Sequence, residues 1–244
     1  MTNSLTSAAA DVAATTAMAT ARALKPVLEH AGLDFELEEG PAPGGCRLRV
    51  TPSAAHPWMH GDVRAHLLSE GITAEVSHLE QPLPCPGREL LLTLPSENEV
   101  RSLGRLLETG LTELQNSALQ LHRALAGMGV ERHPNIQAVG GRALIDIGMF
   151  DSDAATLLYR SLGGEESVLY DLDLGDWHDH ERFARELERV ISATGPVLLV
   201  ESVPTCGHCR GRHGGNRIRF DYLDADDALL LADTLHTLKA RPAS

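Results

Sequence analysis

Four residues within eight positions carry the most compact chemistry in this chain: Cys206, His208, Cys209 and His213. Cys206 and Cys209 form C-x-x-C, and Gly207 between them lets the backbone turn tightly enough for two sulfurs to converge on one point. With two imidazoles in the same loop, a borderline cation finds thiolate and nitrogen donors together. This predicts a zinc site on Cys206, Cys209, His208 and His213. A closed structural zinc site takes four ligands, and the loop supplies four only if both histidines serve. The plainer reading of the same residues is a glycine-rich surface loop with two free thiols.

C-x-x-C also serves as a redox dithiol. The stretch Pro196-Val-Leu-Leu-Val-Glu-Ser-Val-Pro-Thr-Cys-Gly-His-Cys209 resembles the strand and active-site turn of thioredoxin-like proteins. Cys-Gly-His-Cys is the dithiol found in protein disulfide isomerases. The resemblance covers this one segment and implies thiol–disulfide exchange at Cys206 and Cys209. Thioredoxin-type chemistry needs its first cysteine at a helix N-terminus, where the dipole lowers the thiol pKa. Here Arg210-Gly-Arg-His-Gly-Gly215 follows, and each of its glycines costs about 1 kcal/mol relative to Ala in a helix interior. The remaining chain is too short to complete that fold, and Thr205 stands where the family has Trp. Zinc therefore ranks above redox.

A second constellation, Asp171-Leu-Asp-Leu-Gly-Asp-Trp-His-Asp-His180, is expected between a strand and a helix. Asp173, His178 and His180 are candidate ligands for a catalytic divalent metal with open positions, and Asp146 or Asp151 is a candidate further carboxylate. Acidic loops before helices are also common for a structural reason, since Asp caps free amides and complements the dipole. That structural reading is preferred. Arg210, Arg212 and Arg217, with Arg219 beyond them, form the densest basic cluster, a candidate anion site beside Gly214 and Gly215. No nucleotide-binding or serine-hydrolase signature accompanies them.

The elements that must position these groups follow from periodicity and breakers. Residues 34–38 and 46–51 alternate as a hairpin; residues 72–79, 88–94, 143–150, 168–174, 197–203 and 217–222 also read as strands. Helices are expected at 8–30, kinked or split by Pro26, and at 60–70, 152–162, 180–192 and 224–239. Ser96 with Glu99 reads as a capping box opening a helix that runs to Met128, with Val100, Leu107, Leu114, Leu121 and Met128 seven apart. Such a helix suits a buried interior position or a homo-oligomer interface. At an offset of 128 residues, Leu90, Leu92, Leu94, Ser96 and Leu103 correspond to Ile218, Phe220, Tyr222, Asp224 and Leu231. The expectation is an internal duplication of a βαββα unit.

The fold class is therefore α/β in the broad sense (α+β), a mixed or mostly antiparallel sheet with packed helices. An N-terminal module at 1–128, a linker at 129–141 and a C-terminal module at 142–244 are expected. The 244 residues are 43% hydrophobic and 23% charged, ordinary for a globular chain, and aromatics at 4% imply an aliphatic core. A net charge of −13 argues against gripping nucleic acid along a broad basic face. Four cysteines do not make a disulfide scaffold, and neither a signal peptide nor a membrane span is legible, so a cytoplasmic protein is expected. The function expected is a zinc-stabilised binding or regulatory protein that presents the basic Cys/His loop to an acidic small molecule or protein partner. The alternatives are a metal-dependent, hydrolase-like enzyme using Asp173, His178 and His180, and a thiol–disulfide oxidoreductase using Cys206 and Cys209.

Overall fold

Alternation of apolar and polar residues builds the first sheet, because side chains on a strand point to opposite faces in turn. The computed structural model describes residues 19–41, 45–54, 56–79, 89–204 and 215–239. Helical residues 19–23 are followed by a turn at Leu24 and then α1 (Lys25–His30), with Pro26 in its first turn, where the missing donor costs nothing. Next come β1 (Leu33–Glu39), β2 (Cys46–Pro52), a 3-10 turn at Pro57–Met59, α2 (Val63–Ser69), β3 (Glu75–Leu79), β4 (Glu89–Leu94) and α3 (Glu97–Thr109). The strands lie in the order β1-β2-β4-β3, every pair antiparallel. Cys46, Leu48 and Val50 of β2 and Leu90, Leu92 and Leu94 of β4 are buried together with Val27, Leu28, Val63, Leu67, Val100 and Leu103 of the helices. Among the strand residues that alternate with them, Arg49 ion-pairs with Glu36, Glu38 and Glu89.

The chain divides into two compact units, Met1–Leu111 and Thr112–Ser244. The division falls inside the span expected as one helix. α3 ends at Thr109, and α4 (Glu113–Gly127) starts afresh behind Thr112. The Thr112 hydroxyl accepts from the Gln115 amide at 3.3 Å, while the Gln115 side chain accepts from the Thr112 amide at 2.8 Å. This reciprocal capping box, after Gly110, outweighs the seven-residue spacing, and the continuous 97–128 seam expected for an oligomer is not formed.

The second unit continues with β5 (Asn135–Val139), β6 (Arg142–Asp146), β7 (Met149–Asp151), α5 (Ser152–Ser161), α6 (Glu166–Tyr170), α7 (Trp177–Thr194), β8 (Val200–Val203), β9 (Arg217–Phe220) and α8 (Ala225–Lys239). β5 occupies part of the span expected as a linker. Its turn is Gly140-Gly141, with φ of +59° and +80°, the left-handed pair that a two-residue hairpin requires. β7, β9 and β8 form a three-stranded antiparallel sheet in that order. Residues 168–174, expected as a strand, are instead the end of α6 and a turn. Leu169 at the end of α6, and Leu172 and Leu174 in the irregular stretch after it, pack against the core. That core is mostly aliphatic, as expected, with Phe150, Tyr159, Phe183 and Phe220 packed among leucine, isoleucine, valine and alanine side chains.

The fold is thus α+β with antiparallel sheets. One order recurs in both units: strand, helical segment, two antiparallel strands, helix. The last strand, β4 or β9, lies between the other two and antiparallel to both. No helix among the described residues is long and apolar enough to cross a membrane.

Candidate metal centre

The 205–214 loop joins β8 to β9, whose register is defined up to its last pair, Val203 opposite Arg217. Cys206, His208, Cys209, Arg210, Arg212 and His213 lie outside the described residues, as does Cys85. The strands on either side of it are among the described residues. Val200 and Ser202 of β8 share the core-facing side of the ladder with Ile218 and Phe220 of β9, and the same alternation includes buried Asn216.

Opposite this side lies α7. His180, Phe183, Ala184, Leu187 and Ile191 are all buried, the spacing of one helical stripe, so His180 takes a position where an aliphatic residue would ordinarily sit. Asp176 caps the helix by accepting from the His178 and Asp179 amides at 2.9 and 3.3 Å. That cap holds the first turn, and with it His180, against β8.

The His180 imidazole meets the strand through Nδ1, 2.6 Å from the Ser202 hydroxyl. Its Nε2 is buried and has no hydrogen-bond partner among the described residues; the same is true of Asn216 Nδ2. A buried polar group left unsatisfied costs about 1–3 kcal/mol, so two of them, one against β8 and one next to the start of β9, call for an explanation. Burial lowers the His180 pKa below the ordinary histidine value and favours the neutral, ligand-competent ring. The Ser202 hydroxyl on the other nitrogen fixes the ring's orientation, as hydrogen bonds behind metal-binding histidines do.

The acidic constellation does not gather. Asp173 Oδ1 accepts from the Gly175 amide at 3.0 Å, Asp179 accepts from the Asp173 amide at 3.0 Å and pairs with Arg182, and His178 is exposed. His180 is turned away from them into the core. Asp171 and Asp173 follow a helix rather than a strand end, and the carboxylates of Asp173, Asp176 and Asp179 accept from backbone amides. Asp146 is engaged by Gln137 at 2.7 Å and the Gly148 amide at 2.8 Å, and Asp151 caps α5 at 2.8 Å.

Of the basic cluster, Arg219 lies opposite Glu201 in register and ion-pairs with it; Arg217 lies opposite Asp151 and Val203. A groove of about 380 Å³ is lined by Asp146, Met149, Leu199, Glu201, Arg219 and Tyr222. Its arginine is already neutralised by Glu201, so this groove does not suit an anion. Sequence reasoning missed Ser202, which no motif marks, and the close pair His122 and His133, eleven residues apart across a helix end. Comparison with family models, curated proteins and solved structures finds no match.

Proposed function

We propose that this chain is a metal-stabilised binding module, in which a zinc ion held by Cys206 and Cys209 clamps the 205–214 loop onto the β8–β9 ladder. The observation that carries the reading is His180: a buried neutral imidazole with Nδ1 tied to Ser202 and Nε2 without a partner among the described residues. His180 then serves as third ligand and His208 or His213 as fourth. Thiolate-rich, four-ligand sites stabilise structure rather than activate water. The loop so fixed offers Arg210 and Arg212, with Arg217 at its base, to an acidic small molecule or protein partner.

The Ser202 and His180 contact could be read as a nucleophile and its base. A relay of that kind orients the histidine with an acid on its second nitrogen, and no such carboxylate stands there among the described residues. The dithiol reading of Cys206 and Cys209 leaves the buried His180 unexplained.

Metal analysis of protein purified from zinc-replete cells tests the proposal. About one zinc per chain is expected, lost in the Cys206→Ser, Cys209→Ser double variant and weakened in His180→Gln. Folded, metal-free protein overturns the proposal. A dithiol that equilibrates reversibly with glutathione in the absence of metal favours the redox alternative.

A further inference from the structure

The C-terminal end of α4 is built to bring two histidine rings together. α4 closes with Met128 and Gly129 amides bonded to Leu125 and Ala126 carbonyls at 3.0 Å each. Gly129 adopts φ of +81°, and the Val130 amide returns to Leu125 O at 3.0 Å. This is a left-handed helix stop of the kind glycine permits. Val130 is buried as the chain reverses, and Pro134, also buried, restricts His133 to an extended backbone before β5 begins. His122, one residue from buried Leu121 on α4, is thereby set opposite His133.

The two rings meet edge to face, centroids 5.0 Å apart at 75°, with Nδ1 of one 3.1 Å from Nδ1 of the other. With only a proton between them, one nitrogen donates and the other accepts. Two nitrogens bound at about 2.0–2.1 Å to one tetrahedral ion would stand about 3.3 Å apart, so the observed separation is close to a ready bite. Both rings are half-buried, leaving an approach for an ion and its water. The cation that precedes His133 is drawn off: Arg132 reaches Asp151 at 3.5 Å and lies 5.5 Å from the centroid of the Phe150 ring. The chain's net charge of −13 further favours a cation.

We infer that His122 and His133 form a two-histidine site for a borderline divalent cation, with Nδ1 of each ring as ligand and open positions filled by water. Imidazole donors without thiolate select copper(II), nickel(II) or zinc ahead of magnesium or calcium. Neither ligand belongs to the cysteine loop.

The test is a titration of the full-length Cys206→Ser, Cys209→Ser variant, stripped with chelator, with copper(II) as the probe, followed by electron paramagnetic resonance. One equivalent with nitrogen hyperfine structure is expected. His122→Gln and His133→Gln, each added separately, should weaken it by about 100-fold or more, since even residues behind a ligand matter 10- to 100-fold. Magnesium should not compete. If a glutamine variant fails to fold, histidine ring proton shifts of the parent protein titrated with zinc decide the matter, with His122 and His133 moving together. Absence of a nitrogen-ligated equivalent, or one that both glutamine variants retain, overturns the inference.

Discussion

The imidazole of His180 and the hydroxyl of Ser202 stand 22 residues apart in sequence and 2.6 Å apart in the fold. One comes from the first turn of α7 and the other from β8, and the contact exists because α7 lays its buried stripe along that strand. The pair is polar in surroundings otherwise filled by Phe183, Leu187 and Val200. Its cost in desolvation is what makes it informative.

Replacing His180 by Leu separates a ligand from a core filler. As a core filler, His180→Leu removes a buried polar atom and leaves stability unchanged or raised in chelator, while Ser202→Ala costs about 1 kcal/mol. As a ligand, His180→Leu also abolishes the gain in unfolding midpoint that zinc confers on the parent protein. Denaturant unfolding with and without zinc reads both outcomes. A midpoint gain that survives in His180→Leu removes His180 from the metal site.

Acid should destabilise the second unit through the same residue. The folded pKa of His180 lies below its ordinary value of 6.5, so between the two the unfolded chain binds a proton that the folded chain refuses. Stability is therefore full above about pH 6.5 and falls as pH drops from there toward the folded pKa. His56, depressed by burial and then by His66, adds a similar loss in the first unit. Thermal unfolding in chelator across this range should show a shallower slope for His180→Gln than for the parent; equal slopes would count against a buried neutral His180.

Cys46 should be chemically silent. Burial in the first sheet pushes its thiol up to about 11, and the thiolate is the reactive form. Alkylation at mildly alkaline pH followed by mass spectrometry should leave Cys46 unmodified in folded protein and modified after denaturation. Labelling of Cys46 under native conditions would mean that β2 opens.

Gly163 and Gly164 close α5 for different reasons, and substitution should tell them apart. Gly163 has φ of +83° with open space around it, whereas a Cβ on Gly164 would overlap the ring of Tyr159, itself fully buried. Gly164→Ala should cost about 1–3 kcal/mol or more by overpacking, and Tyr159→Phe would not relieve it, because the overlap is with the ring. Gly163→Ala should cost about 1 kcal/mol by backbone strain alone. Urea unfolding of the two variants gives the comparison.

Thr112→Ala removes the cap on which α4 restarts and should lower stability by about 1 kcal/mol, with loss of helicity measured by circular dichroism. An unchanged stability would mean that α4 is held by packing alone.

Local chemistry was sufficient for much of the fold. The alternation in Leu33–Glu39, Cys46–Pro52 and Glu89–Leu94 specifies strands, because one face must be buried and the other wetted. Ser96, Asp176 and Asp224 each accept from amides of the helix that follows, and each lies in a stretch whose side chains announce a cap or helix start. Where two local signals competed, the sequence did not rank them. The seven-residue spacing across residues 97–128 argued for one helix, while Gly110 and Thr112 with Gln115 argued for a break. Which one prevails depends on whether Leu107 and Leu114 have a common surface to cover, and they belong to different units. Residues 168–174 alternate as a strand would, but Glu166–Tyr170 closes as a short helix, and Leu172 and Leu174 pack on the core from the irregular stretch after it.

The chemistry divides in the same way. That Cys206 and Cys209 can share an ion is a property of spacing within one loop, and was legible. That Asp173, His178 and His180 part company was not: Asp173 accepts from the Gly175 amide of its own turn, His178 faces solvent, and helix periodicity turns His180 inward. The pairs His180 with Ser202 and His122 with His133 are tertiary facts. Residue types fix what each nitrogen can bind, but only the crossing of α7 on β8, and the reversal after α4, decide which nitrogens come within reach of a shared partner.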